Sequence, residues 1–255
     1  MDLGLKNKTI LVTAASRGLG YGAAKALVEE GAKVIICGRS EESLKNAIAS
    51  LGPNSQYFVA DVSKSEDITE LIGHVKQATP KLDGLFVNAG GPPPGTFSDL
   101  TDEHWKSAFE LTLMSSVRLT REALPLLRNS NSPSILYSTS ISVKEPIQNL
   151  LLSNAIRPAV VGMMRTISDE IGPEGIRVNA ICPGYVYTKR VDELLAKSKE
   201  GSSSAKDAIE ARIPLKRMGT PEEFGAVCAF LLSPKASYVH GALLLVDGGL
   251  YRGMM

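Results

Sequence analysis

An excess of charge of either sign is missing from this chain. Lys and Arg number 28 against 27 Asp and Glu, a formal net charge of +1, which gives no electrostatic case for nucleic acid or an anionic membrane surface as a partner. Cysteine is scarce. Cys37, Cys182 and Cys228 are odd in number, lack metal-ligand spacing and each lie in an apolar segment, so they read as buried free thiols in a reducing cytoplasm. The three histidines (His74, His104, His240) are scattered, and no metal site is expected. Long hydrophobic runs are lacking too. The stretch 242–246 is far too short to span a bilayer, and residues 1–9 lead into the first strand without an apolar signal region, so a cytoplasmic protein is expected.

What the chain does have is regular alternation. Its 255 residues, 44% hydrophobic, suit one large α/β domain over 1–255. Strand-like runs are read at 10–13, 33–37, 56–59, 82–87, 134–139, 176–181 and 242–246, with helical patterns between them. Ser63 with Glu66 has capping-box spacing, and Thr220, Pro221 and Glu223 combine an N-cap, a first-turn proline and a capping glutamate. Long helices are expected from about 102 to 128 and up to Gly172 and Pro173. Nearly continuous apolar strands alternating with helices imply a seven-stranded parallel sheet covered on both faces, a doubly wound Rossmann-type domain. The connection 186–213, with the polar patch GSSSAK, is long enough to be read as a substrate lid.

Residues 9–23, TILVTAASRGLGYGA, organise the rest. An apolar run stops at small residues, and Gly18, Gly20 and Ala23 fit the spacing G-x-G-x-x-G/A that lets a pyrophosphate approach backbone N–H groups at a helix N-terminus. Further along stand Asp61 and Val62, the triplet Asn88-Ala89-Gly90, a serine ending the fifth strand, PGYVYT at 183–188 and VDGG at 246–249. With these motifs in order the chain resembles the short-chain dehydrogenase/reductase family, most closely its 3-oxoacyl-carrier-protein reductase branch, over essentially its whole length.

The resemblance implies a dinucleotide site. Thr13, Ala14, Ala15, Ser16, Arg17, Gly18, Leu19 and Gly20 would wrap the pyrophosphate. Asp61 and Val62 would hold the adenine, and Asn88, Ala89 and Gly90 would line the ribose. Pro183, Gly184, Val186 and Thr188 would meet the nicotinamide carboxamide. Ala14 stands where the family usually has glycine, and its methyl asks for a negative φ or a displaced loop. At the tip of the second strand the run Cys37-Gly38-Arg39 lacks the acid that would take ribose hydroxyls. Arg39, with Arg17, instead offers guanidinium donors to a 2′-phosphate, so NADP is expected in preference to NAD.

The implied chemistry departs from the family. Its Asn-Ser-Tyr-Lys tetrad places tyrosine thirteen residues after serine and lysine four further on. Here Ser140 is followed at those positions by Ser153 and Arg157, and Thr112 replaces the asparagine. An aliphatic hydroxyl titrates far above a phenol, and arginine stays protonated, so Ser140, Ser153 and Arg157 can polarise a carbonyl but not easily serve as its acid. Arg157 can alternatively dock a substrate carboxylate or phosphate. Tyr185, Tyr187 and Lys144 are other groups within sequence reach of the site. Pro158 implies that its helix either starts late, with proline in the first turn, or kinks. Two readings follow: an NADP-dependent oxidoreductase of a carbonyl or alcohol substrate, 3-oxoacyl-type or anionic, with rebuilt proton transfer; or a catalytically impaired NADP-binding sensor or assembly protein. The family resemblance also implies a homo-oligomer, tetramer or dimer.

Overall fold

Aliphatic runs bounded by small or polar residues form seven strands: β1 (Thr9–Val12), β2 (Lys33–Gly38), β3 (Ser55–Val59), β4 (Gly84–Val87), β5 (Ser134–Ser138), β6 (Arg177–Pro183) and β7 (Leu243–Val246). The computed structural model describes residues 1–195 and 202–254. All neighbouring strands pair in parallel, in the order β3-β2-β1-β4-β5-β6-β7. The winding reverses between β1 and β4, so a crevice opens beyond their carboxyl ends.

Nine α-helices lie among the described residues: α1 (Gly18–Glu29), α2 (Glu41–Leu51), α3 (Ser65–Ala78), α4 (Asp102–Phe109), α5 (Ser115–Leu127), α6 (Leu151–Ile171), α7 (Lys189–Leu195), α8 (Ser202–Arg212) and α9 (Pro221–Leu232). Successive strand residues point to opposite faces. Ile10, Val12, Ile36 and Phe86 therefore pack with α1 and α9, while Leu11, Ile35, Leu85 and Ile135 pack with α3, α5 and α6. Each fully buried aliphatic side chain contributes roughly 1.5–3 kcal/mol to this double core. Helices α1 and α9 approach so closely that a Cβ on Gly22 would strike the Pro221 carbonyl, and one on Gly225 the Gly22 carbonyl.

The amino ends of the strands are closed by satisfied polar groups. Asp83 is 3% exposed, and its carboxylate accepts from Ser130 Oγ at 2.6 Å, Thr9 N at 3.0 Å and Lys8 Nζ at 3.2 Å. Burial alone would raise its pKa, but these donors and the Lys8 charge outweigh that and hold it below the ordinary value. Arg177, 8% exposed, donates to the carbonyls of Leu231, Ser233 and Ala236 and so closes the carboxyl end of α9. Burial lowers its pKa to about 10.

Several local expectations are corrected. The helix 102–128 is interrupted by a π-helical turn at Glu110–Met114. Helix α3 starts at Ser65 behind Lys64, which makes no side-chain cap; Ser63 instead binds Asp61 through both N and Oγ, so the Ser63/Glu66 capping box does not form. Pro158 does not lie in a first turn. Helix α6 begins at Leu151, where the Asn154 amide is tied in both directions to the Ile147 backbone, and it runs through Pro158. The Thr220–Glu223 box and the first-turn proline of α9 are present as read. Within 186–213, residues 196–201 lie outside the described residues; the rest of the GSSSAK patch opens α8 rather than forming a coil.

Candidate active site

The turn after β1 is built from both sides of the crevice. Thr13, fully buried, donates from Oγ1 to the Asn88 carbonyl at 2.7 Å and accepts the Asn88 N–H at 2.9 Å. Asn88 Nδ2 donates to the carbonyls of Thr13 and Ala14, each at 3.2 Å. Ala15 N donates to the Cys37 carbonyl at 2.9 Å. These bonds fix the path of the chain, and Ala14 follows it with φ +48°. That corrects the expectation of a negative φ: backbone bonds to Asn88 and Cys37 hold the turn in the left-handed form despite the methyl. Gly18 is also left-handed, at φ +63°. A Cβ on Gly20 would lie 2.5 Å from the Ala14 carbonyl, so this position admits no side chain.

Helix α1 begins at Gly18 with no side-chain cap from Arg17. Its first-turn N–H groups and the positive end of its dipole therefore face the crevice, the arrangement that receives an anion. Arg17 and Arg39 are both exposed, and Ser16 Oγ would be 3.4 Å from a Cβ on Gly38, so the glycine turn and the tip of β2 adjoin. Asp61 accepts from Ser63, and Val62 is buried. Beneath the turn, burial pushes the Cys37 thiol up to about 12, leaving it an inert core group. All three cysteines are buried and free, as expected.

At the end of β5 the hydroxyl run is folded into a small polar cluster. Ser140 caps the 3-10 turn Ile141–Val143, its Oγ accepting the Ser142 N–H at 3.1 Å. Ser142 Oγ stands 3.2 Å from Ser153 Oγ, which accepts Arg157 Nε–H at 3.1 Å. Arg157 Nη1 donates to the carbonyls of Ser138 and Thr139 at 3.2 and 3.0 Å. Ser153 and Arg157, expected at this site, are in direct contact, and Ser140 joins them through Ser142, a member that the sequence reading passed over. The signal was there in the run Ser138-Thr139-Ser140-Ile141-Ser142. Thr112 lies in the π turn, a feature often placed at functional sites. It is 5% exposed, and its Oγ1 has no hydrogen-bond partner among the described residues.

The carboxyl end of β6 closes the crevice from the other side. Pro183 is buried, and Gly184 N donates to Val246 O at 3.0 Å; a Cβ on Gly184 would collide with Asp247 at 2.7 Å. Val186 pairs with Gly219, and Thr188 Cγ2 comes within 3.7 Å of a Cβ built on Gly18, so this loop meets the glycine turn. Tyr185 packs with Ile141, Ile213 and Leu250, where burial raises its pKa. Tyr187 is exposed, and its hydrogen bond with Asp192 raises its pKa. Neither carries the lowered pKa of a phenol activated as an acid. Lys144 lies 5.9 Å from the Tyr251 ring centre. No cluster of metal-ligating side chains occurs among the described residues.

Residues 13–251 match the family model described as enoyl-(acyl carrier protein) reductase. The chain is 35% identical over 96% of its length, and of the relative's, to oxidoreductase asL5 of Sarocladium schorii. It is 32% identical to the L-fucose dehydrogenase of Bos taurus, over 96% of this chain and 90% of that one. Among solved structures it superposes on L-sorbose reductase from Gluconobacter frateurii, complexed with NADPH and L-sorbose, with a TM-score of 0.93, 28% identity and full coverage of both chains. No helix among the described residues is long and apolar enough to cross a membrane.

Proposed function

The chain belongs to the short-chain dehydrogenase/reductase family, and from that premise we propose that it is an NADPH-dependent reductase of a small carbonyl substrate whose proton-transfer site has been rebuilt in hydroxyls. The observation that carries this reading is the uncapped N-terminus of α1 beside two exposed guanidinium groups, with no acid at the tip of β2. A pyrophosphate fits the N–H groups of the glycine turn, and a 2′-phosphate fits Arg17 and Arg39. The other cofactor contacts are proposed as the sequence assigned them: Thr13 to Gly20, Asp61, Val62, Asn88 to Gly90, Pro183, Gly184, Val186 and Thr188. Asn88 works chiefly by holding the turn, since its amide donates to Thr13 and Ala14.

NADPH, when bound, supplies the hydride that reduces the carbonyl carbon. The chain's own part is to hold the carbonyl oxygen and stabilise the charge that develops there. Ser140 and Ser153 bring O–H groups to the crevice, and the fixed charge of Arg157 polarises Ser153 through Nε. Two features weigh against Arg157 docking an anionic substrate: Nε is directed at Ser153, and Nη1 at two strand carbonyls. A neutral polyhydroxy ketone therefore suits the site better than a keto acid, in line with the sugar-reducing and sugar-oxidising relatives. The segment 186–213 remains our proposed lid over this crevice, within a single domain spanning 1–255. The half-exposed Leu244 on the edge strand β7 supports a homo-oligomer, and light scattering showing a monomer at micromolar concentration would remove that part.

The second reading, a nucleotide-binding protein without catalysis, is favoured by one observation. Ser153 and Arg157 occupy the tyrosine and lysine positions, and the Arg157 head is anchored to β5. NADPH oxidation against keto sugars, oxoacyl thioesters and keto acids decides between them, with Ser153→Tyr/Arg157→Lys as the control. Turnover by the parent chain is expected. Tight NADPH binding with no turnover of any substrate, and activity created by the double change, would establish the second reading instead.

A further inference from the structure

The cluster Ser142–Ser153–Arg157 has more donors than acceptors. Ser153 Oγ already accepts the Arg157 Nε–H, and arginine has no lone pair to give back. The Ser142–Ser153 contact of 3.2 Å uses one hydroxyl proton, whichever of the two serines donates it. A second O–H proton therefore has no acceptor among the described residues, in a pair of side chains only 4% and 7% exposed. Ser140, which is only partly buried, accepts the Ser142 N–H at its Oγ, and this leaves its own proton to be donated elsewhere. Buried donors left without acceptors are costly, and the group that relieves them is an acceptor oxygen.

We propose that Ser142 is a catalytic residue of this site, forming with Ser153 a two-hydroxyl donor pair, charged from behind by Arg157, that receives the carbonyl oxygen of the substrate. The assignment rests on the reductase reading for its reaction, although the oxygen-accepting site itself does not. In the reduction, hydride from NADPH forms the new C–H bond and the C=O π pair moves onto oxygen. That oxygen takes a proton from the hydroxyl pair, which is reprotonated by water. The products are an alcohol and NADP⁺, and Arg157 keeps its proton throughout. The pair then acts as a relay and as an oxyanion hole rather than as an acid of lowered pKa.

The experiment uses the full-length chain, Ser142→Ala, Ser142→Thr and Ser153→Ala. Three readouts are taken on each: NADPH affinity by fluorescence titration, kcat on the best keto substrate of the panel, and binding of isobutyramide to the NADPH complex by calorimetry. Isobutyramide is a non-reducible probe with a carbonyl oxygen. Ser142→Ala is expected to keep NADPH affinity within about two-fold, lose on the order of 100-fold in kcat, and bind isobutyramide several-fold more weakly. Ser142→Thr, which keeps a hydroxyl, should restore much of both. Unchanged amide affinity in Ser142→Ala, or no amide binding to the parent NADPH complex, overturns the inference whether or not the parent turns over. A parent that binds the amide through Ser142 but reduces nothing refutes the reductase reading and leaves the donor pair standing.

Discussion

The two ends of this one sheet treat arginine and carboxylate in opposite ways. At the amino ends of the strands, the two buried charges have their partners. Asp83 is surrounded by Lys8, Ser130 and the Thr9 N–H, and the Arg177 guanidinium is spent on three carbonyls at and just beyond the carboxyl end of α9. At the carboxyl ends the polar groups are left short. Helix α1 has no side-chain cap, Arg17 and Arg39 are exposed, the Thr112 hydroxyl has no partner among the described residues, and Ala14 holds a left-handed backbone. The closed end contributes stability, and the open end leaves donors accessible from the crevice. Arg157 shows both habits in one side chain: its Nη1 ties down the end of β5, while its Nε donates to the Ser153 hydroxyl.

The comparison breaks most visibly at Asp83. Asp83→Ala removes the acceptor of three donors and leaves Lys8 beside a buried void, a loss of about 3 kcal/mol of stability. Chemical denaturation should show it, with NADPH affinity of the folded protein unchanged. Because the folded carboxyl titrates below its ordinary value, its contribution is complete above the unfolded pKa and is lost as pH falls through the folded one. Asp83→Asn should accordingly flatten the acid limb of the stability–pH curve. An unaltered curve would mean that the closed end does not depend on this charge.

Arg177→Met tests the same end with a smaller effect. The aliphatic stem is kept, but the carbonyls of Leu231, Ser233 and Ala236 each lose one donor and keep a second, at a cost of about 2 kcal/mol. Arg39→Glu at the open end should do the reverse. Stability should stay within about 0.5 kcal/mol, as for an exposed surface change, while NADPH affinity falls on the order of ten-fold, from the loss of one charge-assisted contact. NADH affinity should hold or rise. A melting shift without a change in nucleotide preference would reverse the assignment of the two ends.

The sequence made the ordered parts of this contrast legible. Strand runs, the glycine spacing and the Ser140–Ser153–Arg157 register are local patterns with a fixed spacing, whereas the reversal between β1 and β4 that opens the crevice came only with the strand order. What stayed hidden depends on where a side chain ends after the chain has folded. Nothing near Arg157 in sequence says that its Nη1 will reach the carbonyls of Ser138 and Thr139. The π turn at Glu110–Met114, which lies against α6, has no signature in the composition. Ser142 was passed over because it sits two residues from an expected site residue, and only the 3-10 turn brings its hydroxyl against Ser153.

Ala14 is the place where the open end pays most plainly in backbone strain. A left-handed alanine costs about 1–2 kcal/mol, since Cβ crowds the following carbonyl. Here φ is +48° because Asn88 and Cys37 hold the flanking peptide groups. Replacing it with glycine relieves the crowding but gives the unfolded chain more freedom, which returns part of the gain. The net expectation for Ala14→Gly is a stabilisation of about 0.5–1 kcal/mol, read as a raised denaturation midpoint at constant slope. NADPH affinity should stay the same or improve slightly, because the bonds from Asn88 and to Cys37 hold the same turn in both variants. A destabilised Ala14→Gly would show that the methyl itself packs usefully in the crevice, and strain would then no longer separate the two ends of the sheet.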